Sequence, residues 1–269
     1  AFYGCSSLAS VNITDVSSWY NIEFCSPISN PLYNDKAELY LNGNELTELT
    51  IPSGVKQIKK YAFYGCNSLT NVTMSNDVTS IGHNAFYACS SLVSVDMSDG
   101  VTSMGVEVFS GCSSLTSIDI PDGVTSLSYG TFSGCSSLVS IDIPANVTSI
   151  GSSAFSGCSS LMSLDIPEGV TSIGSSAFSG CSSLTSIAIP EGITSIGDYV
   201  FSGCSSLISV DMPTDVTSIG SSAFSGCKSL TSIDIPGGVT SIGLWAFYKC
   251  SSLTSVNITD LSAWCNITF

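Results

Sequence analysis

Residues 135–157 read CSSLVSIDIPANVTSIGSSAFSG, and residues 158–180 read CSSLMSLDIPEGVTSIGSSAFSG. The same phrase has been written twice with a few letters changed. It recurs along most of the chain. Nine cysteines stand at 66, 89, 112, 135, 158, 181, 204, 227 and 250, each 23 residues from the last. A fixed period in the twenties, with Leu-x-x-Ile-x-Ile inside it, is the signature of a stacked solenoid: each repeat is one coil that cannot bury its apolar face alone.

Comparing the same position in successive repeats separates core from surface. Three residues after each cysteine stands Leu, from Leu69 to Leu253. Six and eight after it come pairs such as Ile118 and Ile120, alternating with polar residues as a half-buried strand does. A second apolar pair, such as Val147 and Ile150, predicts a second short strand. Phe follows, from Phe86 to Phe247, on a third side read as a helical turn that drops the ring into the core. Pro121, Pro144, Pro167, Pro190, Pro213 and Pro236 end the first strand, where a missing N–H is tolerated. Eleven after the cysteine only Gly, Asn or Asp occurs, as at Asp77, Gly100 and Asn146, which predicts a left-handed backbone there.

The pattern resembles the BspA-like leucine-rich repeats, found in surface proteins of mucosal bacteria and some parasitic protists. The resemblance covers essentially all of residues 1–269. It implies a right-handed leucine-rich-repeat β-solenoid of parallel strands, and no catalytic residues. Eleven strand-one leucines, at 8, 46, 69 and every 23 residues to 253, predict about eleven coils. At about 4.8 Å per coil the body would be roughly 50 Å long. Residues 61–250 carry the regular repeats, and residues 14–45 form one longer, irregular repeat marked by Trp19 and Asn30-Pro31-Leu32-Tyr33. Residues 246–269, AFYKCSSLTSVNITDLSAWCNITF, match residues 1–24 at 18 of 24 positions, as the start of a second super-repeat offset by 245. Neither end carries an evident capping repeat, so the chain reads as a segment of a longer array or as one unit of a head-to-tail fibre.

Composition narrows the chemistry. The 269 residues are 43% hydrophobic, enough for a core, with six Lys, no Arg and 21 Asp+Glu, for a net charge of −15. Nucleic-acid grooves and phosphate clamps need basic grooves and forked guanidinium donors, which six lysines and no arginine do not supply, and an anionic membrane surface would repel the chain. The single histidine, His83, leaves little material for histidine metal sites or triads and reads as a solvated loop residue. No cofactor is implied. No apolar run is long enough to span a membrane.

Four groups of residues remain as candidate sites. Asp96, Asp119, Asp142, Asp165, Asp211 and Asp234 form an outward column on the first strand, beside Ser94, Ser117, Ser140 and Ser163 and interrupted by Ala188. It reads as a solvated face, as a surface for a basic protein, or as a row of oxygen ligands for divalent cations. Tyr129, Tyr199 and Trp245 fall in variable positions and could anchor a protein partner. Asn12, Asn71, Asn146, Asn257 and Asn266 each begin an Asn-x-Thr sequon, an N-glycan acceptor only in a secreted eukaryotic chain. The cysteines of the repeat should be reduced packing thiols, because stacking at about 4.8 Å does not suit disulfide geometry. Cys5, Cys25 and Cys265 are the ones whose pairing stays open. The function implied is non-catalytic protein binding or adhesion at a cell surface, with a structural fibre, stalk or surface layer, self-associated end to end, as the alternative.

Overall fold

The computed structural model describes residues 2–34 and 37–268. Each 23-residue repeat closes one coil, and equivalent residues of neighbouring coils sit in register. On the first side, Asn71 lies opposite Ser94 and Val72 opposite Val95 in a parallel ladder; on the second, Ser149 lies opposite Ser172 and Ile150 opposite Ile173. Both pairings step by the sequence period, so each side chain meets its own counterpart.

The third side is not helical. It is a run of turns whose N–H groups alternate between two uses. Ala154, Ser156 and Cys158 donate to carbonyls three residues back, while Ser153, Phe155 and Gly157 donate to Ser175, Ala177 and Ser179 of the next coil. Alternation is possible because Ser153 and Gly157 both adopt a left-handed backbone, at φ 56° and 77°. The left-handed positions are therefore the residue before each cysteine and the residue five before that cysteine. The column predicted to be left-handed, from Asp77 through Gly100 and Asn146 to Gly238, is not; of its equivalents only Gly54, one repeat earlier, has positive φ. Small residues sit there because the turns of adjacent coils nearly touch: a Cβ on Gly100 would lie 2.5 Å from the Asn76 carbonyl oxygen.

Inside, nine phenylalanine rings from Phe63 to Phe247 make one file, with Phe155 and Phe178 5.7 Å apart and 6° from parallel. The leucine, isoleucine and valine columns fill the rest of a continuous core. The cysteine column runs beside the phenylalanines, and none of the twelve cysteines is in a disulfide. The thiols of the column also make hydrogen bonds. Cys158 Sγ–H donates to the Phe132 carbonyl at 3.2 Å, and Cys181 to Phe155 likewise. That carbonyl already accepts one N–H inside its own turn, as from Cys158 to Phe155, so the thiol uses its second lone pair.

Nine coils, opened by Leu46 through Leu230, run through a second strand, from Gln57–Ile58 to Ser241–Ile242. Leu8 and Leu253 open units of another kind, which reconciles eleven leucines with nine complete turns. After their strands, β1 (Ser10–Ile13) and the terminal strand Ser255–Ile258, the chain reads Thr-Asp and enters a short helix. The first of these is α1 (Val16–Tyr20), where Asp15 accepts N–H bonds from Ser17 and Ser18 as an N-cap. Hydrogen bonding from the Ser17 hydroxyl and backbone holds the Asp15 carboxyl down at about 2. The second is α2 (Leu261–Trp264).

The irregular segment is more than a widened coil. It adds a rung of its own: β2 (Glu38–Leu41) pairs in parallel with β1 at a step of 28 residues, then turns back antiparallel through β3 (Asn44–Glu45). The segment also closes the mouth of the first complete coil. Trp19 Nε1–H donates to the Ala62 carbonyl at 2.7 Å, the acceptor that elsewhere receives a phenylalanine N–H from the preceding coil. Asn30, fully buried, donates to the Tyr61 carbonyl at 2.7 Å. Trp19, Phe24, Leu32 and Leu39 are buried and join the core that contains Phe63. This closure lies inside the array, over the first complete coil, and β1 beyond it pairs only with β2 among the described strands.

Candidate interaction surface

The first side presents three outward columns. The aspartates Asp96, Asp119, Asp142, Asp165, Asp211 and Asp234 are all exposed, as is Ala188 among them. The serine column lies beside them, also exposed at Ser94, Ser117, Ser140 and Ser163. The third column is not evident from the repeat pattern alone. Four residues after each cysteine stand Thr or an apolar residue, and Val93, Val139, Met162 and Ile208 are between 41% and 56% exposed there. The first side thus carries apolar patches alongside a carboxylate row. The signal was present in the sequence as a position alternating Thr with Val, Met and Ile, next to the invariant leucine.

The carboxylates also shape the backbone beneath them. Strand pairing on this side holds where Thr73 faces Asp96, where Ala188 faces Asp211 and where Asp234 faces Asn257. Among the described residues no strand pair is formed where aspartate faces aspartate, at 96–119, 119–142, 142–165 and 211–234. Through the middle of the run each step keeps a single flanking bond, such as Val139 N–H to the Thr116 carbonyl at 3.1 Å. Like charges directly opposite one another weaken a ladder, and at rung spacing two carboxylates repel by about 1 kcal/mol in water. The step from Asp165 to Ala188 is unpaired as well, and charge does not account for it. Asn257 shows the opposite case: its amide donates to Asp234 Oδ1 at 2.6 Å. Among the described residues no three His, Cys, Asp or Glu side chains converge as a metal centre.

Tyr129, Tyr199 and Trp245 are exposed on the edge between the second and third sides, but the structure does not bring them together. Tyr199 lies three coils beyond Tyr129, roughly 14 Å, and Trp245 two further on, roughly 10 Å. Tyr199 and Trp245 occupy the left-handed column, at φ 58° and 60°. Trp245 packs near Tyr248 at 6.3 Å and borders a cavity at the C-terminal mouth. His83, on the same edge, is more than a solvated loop residue. Its Nδ1 accepts the Val106 N–H at 2.8 Å, as Asp198 Oδ1 accepts that of Ser221 at 2.6 Å. Ser128 marks another irregularity. It replaces a glycine whose N–H elsewhere joins the second-side ladder, and its hydroxyl reaches the Met104 carbonyl at 2.9 Å instead; the second-side sheet is interrupted at this step.

The sequon asparagines Asn12, Asn71, Asn146, Asn257 and Asn266 are all exposed. Four have amides already engaged: Asn71 with Ser94 Oγ, Asn146 with the Asp122 carbonyl, Asn257 with Asp234 and Asn266 with the Ser262 carbonyl. Burial pushes the column thiols up, to about 12 at Cys66 and Cys135, whereas Cys5, Cys25 and Cys265 are exposed. No helix among the described residues is long and apolar enough to cross a membrane.

A solenoid of short parallel strands, with leucine, phenylalanine and cysteine columns inside and a polar strand face outside, defines the class: a leucine-rich-repeat protein. The model of the BspA type leucine rich repeat region matches six copies over residues 36–162 and 148–267, and the chain belongs to that family. Among solved structures it is similar to a leucine-rich repeat protein from Bacteroides ovatus, at 29% identity and TM-score 0.52, over 70% of this chain and 69% of that one. It is also similar to a leucine rich cell surface protein from Faecalibacterium prausnitzii, at 28% identity and TM-score 0.41, over 82% and 90%. The pneumococcal vaccine antigen PcpA shares the fold at 20% identity and TM-score 0.55, over 82% and 62%. No curated protein matches.

Proposed function

We propose that the chain is a non-catalytic protein-binding module of a cell surface, whose first side holds a basic, partly apolar protein surface. The observation that carries this reading is the juxtaposition on one face of the aspartate column with exposed Val93, Val139, Met162 and Ile208. Carboxylates steer and orient a basic partner, and the apolar residues supply area to desolvate. A chain with net charge −15 and few lysines offers such a partner little repulsion. Placement outside the cell belongs to the same proposal, in keeping with the resemblance to mucosal surface proteins.

The test uses a peptide alternating lysine with leucine, and its glutamate counterpart, against the immobilised chain. The lysine peptide binds, more weakly as salt rises, and the triple variant Asp119→Asn, Asp142→Asn, Asp165→Asn loses most of that binding. Equal binding by the triple variant, or equal binding of the glutamate peptide, would overturn the proposal.

A further inference from the structure

The second strand of each coil is followed by glycine almost throughout, as at Gly82, Gly105 and Gly151, because in most coils a side chain there would strike the preceding one: a Cβ on Gly82 would lie 2.5 Å from the Lys60 nitrogen. Two coils differ. Lys59 takes this position in the first complete coil, and Ser128 takes it three coils on. Between them lies a trough of about 330 Å³, floored by Gly82 and Gly105 and walled by Gln57, Ser80 and Ser103 of the second strands and by Lys60 and His83 of the following turns. It starts at the densest positive charge in a chain of net charge −15: Lys56, Lys59 and Lys60 are three of its six lysines. Lys56 pairs with Asp77 at 2.8 Å and Lys60 with Glu23 at 3.7 Å, but Lys59 meets the Gln57 amide oxygen at 2.9 Å and no carboxylate among the described residues. The backbone adds a donor. At Val106 and Ser221 the N–H is taken by a side chain of the preceding coil, His83 Nδ1 at 2.8 Å and Asp198 Oδ1 at 2.6 Å. The His83 N–H is their equivalent, and among the described residues nothing accepts it.

We propose that this trough binds a sugar acid, its single carboxylate seated on the His83 N–H beside Lys59 and Lys60. Asp198 shows the arrangement at its own coil, where the equivalent N–H receives a carboxylate oxygen. In the trough the preceding coil presents Lys60 in place of that acid, so the same N–H takes its carboxylate from outside and the ammonium groups neutralise it. Hydrogen bonds from charged donors to a carboxylate are the strong ones. His83 spends Nδ1 on Val106, so its neutral ring carries the proton on Nε2 and keeps a further donor. The rest of the trough suits a ring bearing hydroxyls. Ser80, Ser103 and the Gln57 amide offer donors and acceptors along it, and the glycine floor lets the flat face of a ring lie against backbone. Ile81 and Met104 are buried, which leaves little apolar surface for a peptide side chain to cover. Carboxylates over the remaining surface repel a polyanion, so a ligand with one charge is the one this site takes. The inference goes beyond the proposed protein binding and does not rest on it, since the trough follows the second side and leaves the first side free.

The experiment titrates methyl glucuronide into the isotopically labelled full chain and follows the backbone amide signals. Two probes serve as comparisons: methyl glucoside, in which a hydroxymethyl group replaces the carboxylate, and penta-glutamate. The glucuronide binds with a Kd of about 1 mM, as a ligand of its size should, and moves the signals of Ser80, His83 and Ser103. The glucoside and the penta-glutamate bind at least about ten-fold more weakly, and Lys59→Ala with Lys60→Ala costs the glucuronide about ten-fold. Ser103→Trp fills the trough with every charge left in place, and it abolishes binding. Circular dichroism checks the fold of both variants, and should the lysine variant unfold, Ser103→Trp decides alone. Equal binding of the glucoside would overturn the proposal, because the carboxylate would then do nothing. Equal binding of penta-glutamate would overturn it in favour of an acidic peptide. Absence of binding at about 20 mM glucuronide, movement of signals away from the trough, or unchanged affinity in either folded variant would refute it as well.

Discussion

Truncating Phe155 to alanine probes the stacked interior directly. The ring has no solvent exposure and stacks on Phe132 at 5.6 Å and Phe178 at 5.7 Å. A buried Phe→Ala change costs about 3–5 kcal/mol, and losing two stacked aromatic neighbours puts this site at the upper end of that range. The coils on either side of Phe155 depend on it, because in a solenoid stability is passed between neighbours. Phe247 supplies the internal control: it is half-buried and stacks on Phe224 alone, so Phe247→Ala should cost about half as much. Urea unfolding followed by circular dichroism measures both. A loss below about 1.5 kcal/mol at Phe155, or equal losses at the two sites, would refute the idea that the rings form one shared file.

Other consequences can be checked with less effort. In the native protein a thiol reagent should label Cys5, Cys25 and Cys265 quickly and the buried cysteines from Cys66 to Cys227 only on unfolding; fast labelling of the column would show that the coils open. Burial raises the thiol pKa values of the column in the folded state, so above the ordinary thiol range the unfolded chain holds fewer protons and stability falls as pH rises. The fold should therefore lose stability steeply from about pH 9 upward, a trend that Cys112→Ala together with Cys135→Ala makes shallower; a flat alkaline profile would contradict the burial. Asp119→Asn with Asp142→Asn removes the facing charges, and hydrogen exchange at residues 117–120 and 140–143 should slow several-fold; unchanged exchange would mean that charge does not open the ladder. Trp19→Ala should cost about 3–5 kcal/mol, because it removes a buried ring together with the bond to the Ala62 carbonyl.

The periodic features were legible because a 23-residue repeat turns one chain into its own alignment. Leu161, Phe155 and Cys158 could be placed inside, and Asp142 and Ser140 outside, from their columns alone. Backbone conformation was less legible. Gly, Asn and Asp suggested left-handed turns at positions such as Gly100 and Asn146, yet the left-handed residues include Ser153, Tyr199 and Trp245, whose side chains give no such hint. There the inter-coil hydrogen bonds, not the intrinsic preference, set φ. The cap over the first complete coil was hidden because Trp19 and Asn30, outside the regular repeats, act on Ala62 and Tyr61 far along the chain. The apolar column at Val93, Val139, Met162 and Ile208 was harder to see, since Thr fills the same position in other repeats.

A crystal structure of the chain would test the central claim most directly, read at one place: the distance between the Phe155 and Phe178 rings. Stacked coils predict centroids 5.7 Å apart in one interior file that continues to Phe132 and Phe201. Rings separated by other side chains, or facing different cores, would contradict it.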